Sequence, residues 1–192
     1  MTISKRMFIA LILFVIASTI AYKLRIQNSI VKSEPKTELL NFTPTDLPEK
    51  KVFGSCWVNS LASSNPKAWR CTVDHGIYDP CFDIEGIVVV CGVKPGSENK
   101  DSFIINLTKP LPTNEQNNDW HPWIMELSNG LRCTKITWAA DSLDGEYYFY
   151  ICDKDEAVVL GNIDTSNPLW EVKVGYRGTT KTDQYDVIKA WR

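Results

Sequence analysis

Six cysteines, at positions 56, 71, 81, 91, 133 and 152, constrain this 192-residue chain more than any other feature. Their number is even, and all of them follow an apolar run near the N-terminus. Zinc sites pair their ligands two to four residues apart, whereas the gaps here hold 14, 9, 9, 41 and 18 residues with no CxxC. The pattern predicts disulfides and no metal or other cofactor. Disulfides persist in oxidising compartments, so the cysteines place the domain outside the cytoplasm.

Facing residues of an antiparallel hairpin have a constant sum of residue numbers, so each cysteine pair implies a turn at its midpoint. Cys133 with Cys152 centres between Ser142 and Leu143 in "ADSLDGE", and Cys81 with Cys91 centres on Gly86 in "DIEGI". Cys56 with Cys71 centres between Ser63 and Ser64 in "LASSNP". These are turn-forming stretches, and the neighbour-to-neighbour set is preferred. Cys71 with Cys81, centred on Gly76, remains open as a rival that forces Cys56 onto Cys91.

The N-terminus reads "MTISKR", then "MFIALILFVIASTIAY", then "KLR". Sixteen residues of helix reach roughly 24 Å, slightly short of a hydrocarbon core of about 30 Å. Lys23 and Arg25 follow the run directly, and the one passable cleavage site is Thr19-Ile20-Ala21, so residues 1–25 read as an uncleaved signal anchor in preference to a cleaved signal peptide. The expected location is the cell membrane, single-pass with the domain outside the cytoplasm, or secretion if the signal is cleaved. Residues 26–50 are polar, contain three prolines and read as an extended stalk. Residues 1–25 hold four of the 21 basic residues and none of the 23 acidic ones, so the remainder is net −6. That balance is no footprint for nucleic acid.

From 51 to 192, short runs of Val, Ile, Tyr, Phe, Trp and Thr alternate with Gly, Pro, Asn and Asp clusters. This predicts an all-β domain, a small disulfide-stapled antiparallel sandwich or barrel-like domain built of hairpins. Strands are predicted around 52–58, 86–91, 102–107, 146–152, 157–161 and 169–176, and "SSNPKAWRC" reads as a short helix with Pro66 in its first turn. One register follows from "WIMELSNGLRCTKITW". A type I turn on Ser128 and Asn129 with Gly130 as a left-handed bulge sets Leu127 against Leu131, Met125 against Cys133 and Glu126 against Arg132. The apolar residues then share one face, with a Glu126–Arg132 ion pair on the other.

Three stretches contain residues suited to chemistry. "CTVDHGIYDPC" offers His75 with Asp74 and Asp79, but adjacent strand residues point to opposite faces, and Gly76 makes a polar turn the simpler reading. "NNDWHPW" lies in a long polar loop from Lys109 to Pro122, where Trp120 and His121 are suited to stack on and hydrogen-bond a carbohydrate or peptide ligand; Trp123 reads as core. "DSLDGE" lacks the spacing of a calcium loop and reads as a hairpin turn. No G-x-S-x-G elbow, HExxH or phosphate-cradling loop is present.

The run "GSCW" at Gly54, "AWRC" at Ala68, "IYDPCF" at Ile77 and "VVCG" at Val89 resembles a family of exported bacterial proteins with no assigned activity, and the similarity continues faintly through "MELSNGLRC" to "YYFYIC". The resemblance implies export and disulfides and brings no catalytic residues; His75 falls between its matching segments. The expectation is a membrane-anchored, non-enzymatic binding or interaction module for a surface protein or carbohydrate, with Trp120 and His121 as ligand-binding residues. An extracytoplasmic hydrolase using His75 or His121 and a structural envelope protein are the alternatives.

Overall fold

In the computed structural model the chain divides into two units, residues 1–35 and 36–192. The structure describes residues 18, 34–84, 86, 88–113, 120–138 and 141–192. The expected signal helix and most of the stalk lie outside the described residues. Among the described residues no helix is long and apolar enough to cross a membrane. The second unit is all-β and begins at Lys36, inside the segment read as stalk.

Its strands are β1 (Glu38–Leu40), β2 (Lys51–Asn59), β3 (Ala68–Val73), β4 (Gly76–Ile84), β5 (Val88–Cys91), β6 (Phe103–Leu107), β7 (Ile124–Leu127), β8 (Arg132–Lys135), β9 (Asp141–Leu143), β10 (Glu146–Cys152), β11 (Ala157–Asp164), β12 (Trp170–Tyr176) and β13 (Thr182–Trp191). They make two barrel-like sheets. Strands β2 to β6 form a closed barrel in sequence order. Four antiparallel steps return the fifth strand to the direction of the first, so β6 meets β2 in parallel, Lys51 beside Ile104. The second sheet runs β13, β12, β11, β10, β8, β7 and closes through antiparallel pairing of β13 with β7; β9 lies beside β10 and β1 runs parallel to β13.

Each barrel has its own interior. The first contains Trp69, Val89, Phe103 and Ile105 around two disulfides, and the second contains Met125, Leu127, Val159, Val172, Val174 and Val187 around the third. A third cluster joins them: Ala68, Phe82, Val90 and Ile104 from the first barrel meet Ile124 and Trp191 from the second. Phe42, Phe82 and Trp123 form a triangle of rings there, with centroids 5.0 to 5.4 Å apart. The segment after β1 is therefore part of the joint core.

The disulfides are Cys56–Cys71, Cys81–Cys91 and Cys133–Cys152, the neighbour-to-neighbour set, and each joins directly facing residues. The β7–β8 hairpin also has the register read from the sequence, with Met125 facing Cys133, Glu126 facing Arg132 and Gly130 at φ 82°. Leu127 and Leu131 are joined by a backbone hydrogen bond of 2.9 Å. The expected ion pair on this hairpin is different, because β13 lies alongside: Glu126 pairs with Lys189 at 3.9 Å, and the Arg132 guanidinium lies over the Trp191 ring.

Two local expectations are corrected. "SSNPKAWRC" holds no helix: Asn65 accepts the Ala68 N–H, its side chain caps Lys67, and Pro66 occupies the second position of a β-turn that leads straight into β3. The turn of "ADSLDGE" lies two residues later than the cysteine midpoint. Asp144 and Gly145, both at positive φ, connect β9 to β10, and β9 is an extra strand between the paired β8 and β10 segments.

Candidate ligand cleft at the barrel mouth

Strand directions in the second barrel bring one set of ends together. Strands β7 and β12 start there, β8 and β11 finish there, and β13 passes with Trp191 opposite Ile124. At this end lies a cleft of about 620 Å³, lined by Trp120, His121, Lys135, Tyr150, Asn162 and Trp170 among others. Barrel mouths of this size are common ligand sites. Trp120 and His121, read from the sequence as binding residues, form one wall.

The wall is anchored at four points. The His121 N–H donates to Ser64 Oγ at 3.2 Å, and that hydroxyl donates back to the His121 carbonyl at 3.0 Å. The Tyr150 phenol donates to the Pro122 carbonyl at 2.7 Å, and burial raises its pKa far above the ordinary 10.0. The Trp123 N–H donates to the Trp191 carbonyl, and the Trp123 carbonyl accepts from the Lys135 N–H. Trp120 meets Trp170 edge-to-face, with centroids 5.1 Å apart. Residues 114–119 of the expected binding loop lie outside the described residues, but its C-terminal end is fixed to both barrels.

Trp170, Tyr150 and Lys135 are site residues that sequence reasoning did not assign. Lys135 carries a readable signal: in the β7–β8 register it shares the core-facing parity of Cys133, and a lysine on an inward face is unusual. Its ammonium pKa is lowered from 10.5 by burial, against the opposing pull of the Asp79 charge.

Lys135 also lines a second cleft, of about 490 Å³, between the barrels, with Tyr78, Asp79, Arg132 and Trp138. The Asp79 side chain is almost fully buried there. It accepts hydrogen bonds from Ser60 Oγ and the Leu61 N–H and lies 3.5 Å from Arg70. Burial raises its pKa above the ordinary 3.8, while these donors and the Arg70 charge pull it down. Its role is to fix the loop after β2.

His75 is exposed in the turn joining β3 to β4 and lines neither cleft. The turn centres on Asp74 and His75, since Val73 faces Gly76, and Asp74 adopts φ 53°. Among the described residues no hydrogen bond joins His75 to a carboxylate. The sulfurs of Cys71, Cys81 and Cys91 lie within 4.8 Å of one another, but each belongs to a disulfide and none is a thiolate ligand. In "DSLDGE", Asp141 accepts from the Tyr148 hydroxyl and Glu146 pairs with Lys173, so two of its three carboxylates are committed.

The chain matches no family model, and neither a curated protein nor a solved structure shows significant similarity to it.

Proposed function

We propose that this protein is an exported, membrane-anchored binding module without catalytic activity, whose ligand enters the mouth of the second barrel. The observation that carries the reading is the cleft itself: aromatic walls on anchored backbone, interrupted by a few polar groups. The indoles of Trp120 and Trp170 offer apolar faces for a sugar ring, and His121, Asn162, Thr165 and Lys135 offer hydrogen-bond partners for hydroxyls. A carbohydrate at the cell surface fits that mixture. Three disulfides support export to an oxidising compartment, and the apolar N-terminal run supports anchoring.

The hydrolase alternative has less support. Of the two histidines only His121 lines the cleft, and no Asp or Glu lines it among the described residues. A glycosidase uses a pair of carboxylates. Titration of soluble oligosaccharides, followed by tryptophan fluorescence and calorimetry, tests the proposal. Saturable binding weakened about ten-fold or more by Trp120→Ala is expected. Affinity unchanged by Trp120→Ala and by Trp170→Ala, or turnover of a bound sugar, would overturn it.

A further inference from the structure

The cleft between the barrels differs chemically from the barrel mouth. Three cations line it, Lys94, Arg132 and Lys135, and none forms an ion pair among the described residues. The two carboxylates that line it are occupied: Asp79 by Ser60, Leu61 and Arg70, and Asp153 by the Arg132 backbone N–H at 3.0 Å. The Arg132 Nε is buried and has no hydrogen-bond partner. The Trp191 ring covers only a face of the guanidinium, so its outer Nη groups are the ones left to meet an acceptor.

Apart from Thr134, Thr137 and Tyr78, the rest of the cleft is apolar. Trp123 and Ile136 form buried wall, while Ile77 and Trp138 stand at 57% and 66% exposure. An indole that exposed in a cleft also lined by an arginine without an ion pair marks a place where an apolar group and an anion are recognised together.

We propose that this cleft is a second ligand site, for a carboxylate carrying an apolar body, with Arg132 binding the carboxylate through its Nη groups and Trp138 covering the apolar part. The carboxylate is the shared chemistry of two sources, a small free acid and the C-terminus of a peptide ending in an apolar residue. The volume of about 490 Å³ accommodates a phenylalanine-sized body with its carboxylate.

The test is calorimetric titration of the full chain with 3-phenylpropionate, with N-acetyl-Ala-Leu-Phe and with the same peptide as its C-terminal amide. Saturable binding of at least one acid is expected, with the amide about ten-fold weaker or more. Binding of the peptide alone identifies a chain terminus as the source, and binding of both acids shows that a free acid suffices. Arg132→Gln should weaken binding about ten-fold or more, with Trp138→Ala and Lys94→Gln as surface variants should Arg132→Gln not fold, each expected to weaken it several-fold. Trp120→Ala should leave this affinity unchanged, which separates the site from the barrel mouth. Absence of binding by either acid up to about 10 mM, equal affinity for acid and amide, or loss of binding with Trp120→Ala instead of the cleft variants would overturn the proposal.

Discussion

Asp79 shows how one side chain can look catalytic and act structurally. It lies four residues from His75 in sequence, yet its carboxylate is turned inward to the Ser60 hydroxyl, the Leu61 N–H and Arg70. Asp79→Ala removes the acceptor and leaves those donors unmet, so unfolding in urea should show a loss of about 3 kcal/mol. A carboxyl whose pKa is raised on folding binds its proton more tightly in the folded state. Stability from this group therefore falls as pH rises from about 4 through the raised value and is level above it. Urea melts across that range should show this fall in the wild type and its absence in Asp79→Asn. Tyr150 is a simpler case. Tyr150→Phe leaves the Pro122 carbonyl without its donor and should cost about 1 kcal/mol in the same melts. It should also weaken any ligand held by Trp120, since the wall loses one of its anchors.

At the level of single elements, the two glycines at 130 and 54 fail in different ways when substituted. Gly130 has φ 82° and open space around it, so Gly130→Val meets backbone strain alone and should lower stability by about 1 kcal/mol or more. Gly54 sits in β2, where a β-carbon would lie 2.5 Å from the Thr72 carbonyl oxygen. Gly54→Ala must push β2 from β3 and should cost about 2 kcal/mol, measured as a shift in urea midpoint at constant slope. The hairpins were the legible part of the sequence, because alternation and constant residue sums are local. Strand β3 was hidden because a proline after a small polar residue opens a helix or occupies a β-turn equally well. Strand β13 was hidden because its first half, Thr182 to Asp186, carries mostly polar residues. The site was half legible. Trp120 and His121 stand out as an aromatic and a histidine in a loop, and Lys135 and Tyr150 reach them through the neighbouring β7–β8 and β8–β10 pairings. Trp170, on β12, meets that wall through β13 and its closure on β7, a pairing between segments some 60 residues apart that no local pattern announces.

For the whole molecule, stability rests on two barrel interiors, the aromatic joint between them and three covalent links. Replacing Cys133 and Cys152 together by serine should lower stability by about 3 kcal/mol, read from thermal and urea melts of the oxidised protein, because a 19-residue loop is released in the unfolded chain. The joint makes a further demand: Phe42 precedes the first barrel and Trp191 ends the last strand, so removing either end of the second unit strips a ring from the shared core. The disulfide order has one more consequence, for how the protein is made. First bonds to second, third to fourth and fifth to sixth, so a chain delivered N-terminus first to an oxidant offers each cysteine its native partner before any later one has emerged. Joining thiols in order of arrival yields the native set, and oxidative maturation can proceed without a reshuffling enzyme.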